Sequence, residues 1–159
     1  MTRLLTAIAS AFLCVSCAGS SAPTAPSSTS DAPSFLVGTW SGTAVITPRD
    51  QPASPGTMTW QINAVPDSAQ RVYSVSVRSS NTWWNISATT GLTLSPTPTP
   101  PAQIEADGTY QSPRACVGTF AVEGPVTSTT IDATLSGHDC VDADGVPLSY
   151  SGTVHLTKQ

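Results

Sequence analysis

Hydrophobic and polar residues alternate with a period of two along most of the chain from residue 35 to residue 159. Half-buried β-strands produce this pattern, because successive side chains of a strand point to opposite faces of the sheet. In residues 37–47, Trp40 and Ile46 fall on one face, while Thr39 and Thr43 fall on the other. Runs of this kind cover residues 37–47, 57–65, 71–78, 82–88, 102–108, 115–124, 129–137 and 148–158. Segments rich in proline, glycine and aspartate separate these runs, as expected for turns.

Eight short strands in succession, each with one apolar and one Thr/Ser-rich face, predict an all-β fold. We expect a single antiparallel up-and-down barrel, because closure removes the exposed edges of a sheet. A two-sheet β-sandwich is the alternative. Alternation places no charged side chain in the interior and points Trp83 outward. The large side chains assigned to the interior, where they fill the barrel or line a ligand pocket, are Trp40, Trp60, Tyr73, Trp84, Phe120 and Tyr150.

The N-terminus predicts an exported protein. Arg3 is followed by an apolar run, residues 4–15, that is too short to span a bilayer, which is typical of a secretory signal. We assign residues 1–16 to a signal peptide. Residues 17–34 are almost entirely Ser, Ala, Pro, Thr and Gly, a composition that predicts a disordered tether. The remaining residues, 35–159, are enough for one barrel domain.

The signal ends in "LCVSC", residues 13–17, which resembles the lipobox of bacterial lipoproteins. In that family the cysteine that matches Cys17 is diacylated and becomes the first residue of the mature protein. Cys14 stands where the family usually has leucine. The resemblance implies a palmitate-bearing membrane anchor and a location in the bacterial cell envelope. The alternative is an ordinary signal peptide cut near Ala18, which would give a secreted soluble protein.

The first strand contains Gly38-Thr39-Trp40, a G-x-W sequence that is similar to the lipocalin signature; "GTW" also resembles the start of avidin-type barrels. Both families are eight-stranded meanders. The lipocalin resemblance implies that Trp40 plugs the closed end of the barrel and that a basic residue of the last strand packs over it. Lys158 is the basic residue near the C-terminus. Gly38 and Gly42 suit this role, because a bulky indole needs neighbours without side chains.

The cysteine content predicts a disulfide bond in the barrel domain. Cys116 and Cys140 are the two cysteines of the barrel domain, and in an exported protein they predict one disulfide bond. Strand parity places them on different faces, so the bond requires a β-bulge or a strand that has ended by His138.

The chain has 6 basic and 10 acidic residues. Its basic residues are scattered, so a nucleic-acid partner is not expected.

Residues with catalytic or metal-binding potential are few. The densest polar segment, "GHDCVDADG", contains His138, Asp139, Asp142 and Asp144. We interpret it as a solvated hairpin and not a metal site, because Asp-Gly favours a turn and the distal glutamate of a calcium loop is missing. No serine lies in a G-x-S-x-G motif.

We therefore expect no enzymatic activity and no cofactor. The leading hypothesis is a lipid-anchored envelope barrel that binds a small apolar ligand. A structural or surface interaction protein with a filled barrel is the alternative.

Overall fold

The computed structural model describes residues 35–65, 72–95 and 100–159. The predicted signal peptide, the tether and Cys17 lie outside these residues. Eight strands follow one another in the chain: β1 (Gly38–Pro48), β2 (Ser54–Ala64), β3 (Val72–Ser79), β4 (Ser87–Ser95), β5 (Ala102–Gln111), β6 (Val117–Val126), β7 (Thr130–Val141) and β8 (Pro147–Lys158). In the described part of the chain, no helix is long and apolar enough to cross a membrane.

The strands form a closed barrel in which each pairs with its sequence neighbours and β1 pairs with β8, all antiparallel. The predicted all-β barrel is thus confirmed, and the sandwich alternative is wrong. The register sets Trp40 opposite Trp60 on one side and Lys158 on the other. Since every strand edge is paired, no hydrogen-bonding edge is left open to another chain.

One end of the barrel carries Trp40, and we call the other end the rim. The rim consists of the connections 49–53, 80–86, 112–116 and 142–146, which join β1–β2, β3–β4, β5–β6 and β7–β8. Inward-facing apolar side chains from all eight strands form one hydrophobic core between the two ends. The core is packed throughout its height, with the six predicted interior side chains at 4% exposure or less.

At the Trp40 end, the indole Nε1 donates a hydrogen bond to the Leu36 carbonyl oxygen over 2.8 Å. The Lys158 ammonium lies 5.5 Å from the centroid of the Trp40 ring and donates to the Phe35 carbonyl over 2.5 Å. Gly38 has a backbone φ of +135°, which residues with a side chain rarely adopt. A Cβ atom at Gly42 would lie 2.0 Å from the backbone oxygen of His155. The two glycines therefore allow the close packing of the strands around Trp40.

The fourth strand begins five residues later than the predicted run 82–88, so the sequence interpretation is wrong there. Asn81 is the physical reason. Its side-chain oxygen accepts hydrogen bonds from the backbone N–H groups of Trp83 (2.9 Å) and Trp84 (3.0 Å). These groups are satisfied within the turn and are not available to a strand ladder. Trp83 is consequently a rim residue that packs against the core, and it does not point outward from a strand.

Candidate functional site

Four aromatic side chains meet inside the barrel near the rim: Trp84, Tyr110, Phe120 and Tyr150. The Trp84 ring lies 5.5 Å from that of Tyr110, 6.1 Å from that of Phe120 and 5.9 Å from that of Tyr150, measured between centroids. The first two contacts are edge-to-face, an arrangement that aromatic quadrupoles favour. We call these four residues the aromatic cluster.

Inward-facing glycines provide the space for the cluster. Gly108 is paired with Phe120, Gly118 with Tyr110, and Gly137 with Tyr150 on the neighbouring strands. A Cβ at Gly137 would lie 2.1 Å from the Thr119 carbonyl oxygen and 2.6 Å from the Tyr150 hydroxyl. Each ring thus lies over the backbone of a residue that has no side chain, and three rings fit against the wall of a narrow barrel.

The polar atoms of the cluster are buried but not all of them are paired. The Tyr150 hydroxyl donates to the Thr119 carbonyl oxygen over 2.8 Å. The Trp84 Nε1 and the Tyr110 hydroxyl have no hydrogen-bond partner among the described residues. Unpaired buried donors are uncommon in native proteins, because desolvation is then uncompensated. The cluster therefore holds two donors that a bound acceptor could satisfy.

Burial also fixes the protonation of the two tyrosines. It raises the pKa of Tyr110 to about 12. The Tyr150 hydroxyl partly opposes this increase, the Asp139 carboxylate adds to it, and the Trp84 indole opposes it slightly. The Tyr150 pKa is likewise raised above its usual range, chiefly by burial. Both hydroxyls therefore remain protonated, as donors, across the physiological pH range.

Trp83 and Arg114 cover the cluster at the rim. The Trp83 ring lies 5.3 Å from that of Tyr150 in an edge-to-face contact, and the Arg114 guanidinium lies 4.8 Å from the Trp83 centroid. Arg114 also forms an ion pair with Asp139. The Trp83 side chain is only partly buried, although its Nε1 is buried and has no partner in the described residues.

Asp139 corrects two expectations from the sequence. Its side chain is 1% exposed, so it does not belong to a solvated hairpin, and the interior near the rim does contain a charged group. Asp139 lies inward because it continues the alternation of Ile131, Ala133 and Leu135 along β7, and the register with β8 becomes irregular only after His138. Arg114 compensates the buried charge.

The turn itself is held by Asp142, as the sequence predicted for this hairpin. Its carboxylate accepts hydrogen bonds from the backbone N–H groups of Asp144 (3.0 Å) and Val146 (2.8 Å).

A disulfide joins Cys116 and Cys140, with a Cα–Cα distance of 5.6 Å. It links the connection that carries Arg114 to the end of β7. Cys140 lies within the register irregularity between His138 and Val141, which agrees with the β-bulge that strand parity required for this bond. The two sulfurs and the Asp139 carboxylate lie within 4.8 Å of one another. Bonded sulfurs are not thiolates and Asp139 is paired with Arg114, so this group is not a metal site in the oxidised protein.

The structure divides the six predicted interior residues between two regions. Trp84, Phe120 and Tyr150 belong to the aromatic cluster. Trp40, Trp60 and Tyr73 lie in the half of the barrel nearer the Trp40 end. Sequence analysis did not assign Tyr110 or Arg114 to a site, and it placed Asp139 in a solvated hairpin although Asp139 continues the inward alternation of β7. Tyr110 continues the alternation of Ile104 and Ala106 beyond Gly108, a signal that could have found it.

Comparisons with known proteins agree with this architecture. The fold defines the chain as a closed eight-stranded antiparallel barrel, the meander that the lipocalin resemblance implies. No protein-family model matches the chain, and no curated protein matches it.

Among solved structures, the chain is similar to EF1p2_mFAP2b bound to DFHBI, with a TM-score of 0.56 and 19% identity over 83% of this chain and 100% of that chain. A redesigned β-barrel, mFAP1, bound to DFHBI, also matches, with a TM-score of 0.45 and 19% identity over 80% of this chain and 98% of that one. At this identity the first similarity shows the fold alone.

Proposed function

We propose that this barrel binds a small, flat, apolar molecule at the rim, above the aromatic cluster. The observation that carries the proposal is the position of Trp83. Its ring makes a core-like contact with Tyr150, yet the side chain is only partly buried and belongs to a connection, not to a strand. A flat ligand could take the place of this ring, with Tyr150 at its edge and the Arg114 guanidinium over its face.

Two further features support binding at this end. The cluster is mostly apolar with a few polar groups directed inward, which is the usual composition of small-molecule sites. EF1p2_mFAP2b, whose barrel is similar in fold, is bound to the small molecule DFHBI. In the proposed mechanism the connection 80–86 moves outward, the Trp83 ring leaves Tyr150, and the ligand enters.

The proposal is tested by calorimetric titration with DFHBI at a pH low enough to keep its acidic phenol protonated, so that the probe is neutral. Trp83→Ala removes the resident ring, whose contacts with Tyr150 and Arg114 are together worth about 1 to 2 kcal/mol. We therefore expect this variant to bind DFHBI about tenfold more tightly than the wild-type protein. Trp40→Phe, at the opposite end, is the control and should leave the affinity unchanged. If neither the wild type nor folded Trp83→Ala shows saturable binding, the ligand-binding proposal is wrong.

The second candidate function is a structural or interaction role for a barrel filled by its own side chains. Complete packing of the core favours it, since Trp40, Tyr73 and Leu92 are all 0% exposed and the rings near the rim are almost as buried. In this case Trp83 is a permanent part of the core. Loss of stability without any gain of binding in Trp83→Ala would support this second function.

We also propose that the protein is exported and anchored to a membrane of the bacterial cell envelope through a diacylated Cys17. The lipobox-like "LCVSC" and the tether of residues 17–34 support this location. The chain enters the barrel at the Trp40 end, so a tether attached there leaves the rim accessible. Labelled palmitate should be incorporated by the full-length protein but not by Cys17→Ser. Equal labelling, or none in either protein, would contradict the anchor and favour secretion.

A further inference from the structure

The aromatic cluster contains two buried donors that form no hydrogen bond of normal distance and angle, although the Tyr150 hydroxyl and the Asp139 carboxylate lie near Tyr110. Trp84 is 1% exposed and Tyr110 is 4% exposed, yet the Trp84 Nε1 and the Tyr110 hydroxyl have no hydrogen-bond partner among the described residues. Their rings are in edge-to-face contact at 5.5 Å, so the two donors belong to one small region of the interior. Tyr150 differs, because its hydroxyl is already used by the Thr119 carbonyl.

The surrounding charges restrict what these donors can bind. Asp139 is the charged group that perturbs both Tyr110 and Tyr150, and its effect opposes the appearance of another negative charge. Arg114 is the nearest compensating cation, but it is held by Asp139 and by the face of Trp83. An anionic ligand group would therefore be buried beside a carboxylate without a free cation, which is unfavourable.

We infer that the ligand carries a neutral hydrogen-bond acceptor, such as the carbonyl oxygen of a ketone, ester, amide or quinone, and that the Tyr110 hydroxyl and the Trp84 Nε1 bind this oxygen. The inference rests on the proposed function and names the chemical class of its ligand. The aromatic rings supply the apolar contact, and the two donors select the orientation of the ligand. A ligand without an acceptor would leave both donors unsatisfied.

Two matched probes test this inference in the full-length protein by calorimetry. Fluorene and 9-fluorenone have nearly the same size and flatness, but only fluorenone has a carbonyl acceptor. We expect fluorenone to bind about tenfold more tightly than fluorene, as one or two neutral hydrogen bonds predict. Fluorene-9-carboxylate should bind more weakly than fluorenone, because it brings a negative charge next to Asp139.

Variants then assign the preference to particular atoms. Tyr110→Phe and Trp84→Phe remove one donor each and keep an aromatic ring, so each should reduce the preference for fluorenone to threefold or less, a range set by the loss of one hydrogen bond of about 1 kcal/mol. Tyr73→Phe, which removes a hydroxyl in the other half of the barrel, is the control and should preserve it.

The outcomes separate this inference from the proposed function. If fluorene and fluorenone bind equally well to the wild-type protein, the acceptor inference is overturned while binding at the rim stands. If the preference is retained in both Tyr110→Phe and Trp84→Phe, the two donors do not bind the carbonyl. If DFHBI binds but none of these three probes does, the acceptor inference is overturned. If DFHBI does not bind either, the proposed function itself fails.

Discussion

Replacement of Trp40 with alanine tests whether this residue plugs the end of the barrel. Its side chain is 0% exposed, and its position on β1 is paired with Trp60 of β2 and Lys158 of β8. The substitution removes the ring, the hydrogen bond from Nε1 to the Leu36 carbonyl oxygen, and the surface on which the Lys158 ammonium rests.

The expected loss of stability follows from these contacts. Truncation of a buried tryptophan to alanine costs about 3 to 5 kcal/mol, and a closed barrel end cannot easily collapse into the cavity. Leu36 is itself 0% exposed, so its carbonyl loses a partner that water cannot readily replace, which adds about 1 kcal/mol. We expect a decrease of about 4 to 6 kcal/mol in the free energy of unfolding. For a domain of this size the melting temperature should fall by about 15 °C.

The assay is urea denaturation followed by circular dichroism, with Trp83→Ala as the matched comparison. Trp83 is partly buried and its ring makes one aromatic and one cation–π contact, so its loss should cost about 1 to 2 kcal/mol. If Trp40→Ala does not fold, Trp40→Phe is measured in its place. This variant keeps most of the side-chain volume but loses the hydrogen bond, so its free energy of unfolding should be about 1 to 2 kcal/mol lower than that of the wild type. Equal costs for Trp40→Ala and Trp83→Ala, or a larger cost for Trp83→Ala, would refute the plug.

Three further predictions concern the rim and the cluster. The double variant Cys116→Ala/Cys140→Ala removes a disulfide between residues that are 24 positions apart in the sequence. Its free energy of unfolding, measured by urea denaturation, should be about 3.5 kcal/mol lower than that of the wild type. An unchanged denaturation midpoint would contradict a bonded pair. Gly137→Ala places a methyl group 2.1 Å from the Thr119 oxygen and should lower stability by about 1 to 3 kcal/mol, whereas Gly91→Ala, with no atom within 4 Å, should be close to neutral. The pKa of Tyr110 is about 12 in the folded protein, against an ordinary value of 10.0 that applies to the unfolded chain. Between these two pH values the unfolded chain binds fewer protons than the folded protein. The free energy of unfolding should therefore fall as the pH rises from about 10 to 12. Tyr110→Phe should make that decline shallower in melting curves, and an equally steep decline would show that Tyr110 is not its source.

The sequence by itself determined the fold class and the inward face of most strands. Alternation with a period of two is a property of the extended backbone, so it can be seen in a short stretch without knowing which strands pair. It correctly placed Trp40 and Trp60 inside, as well as Phe120 and Tyr150. Alternation was misleading at residues 82–88, because adjacent tryptophans imitate a strand while a single side chain, Asn81, holds the backbone in a turn.

Only the tertiary structure decided which of these residues meet. The Lys158 ammonium lies over Trp40 because β8 pairs with β1, a contact between residues at opposite ends of the domain. The aromatic cluster requires the register of β5, β6, β7 and β8 together with a tryptophan from a connection. Alternation puts Asp139 on the inward face of β7, but only the fold brings Arg114 to its buried carboxylate from another strand connection. Register and bulges depend on non-local pairing and on the packing of a shared interior, so the pattern of a single strand cannot specify them.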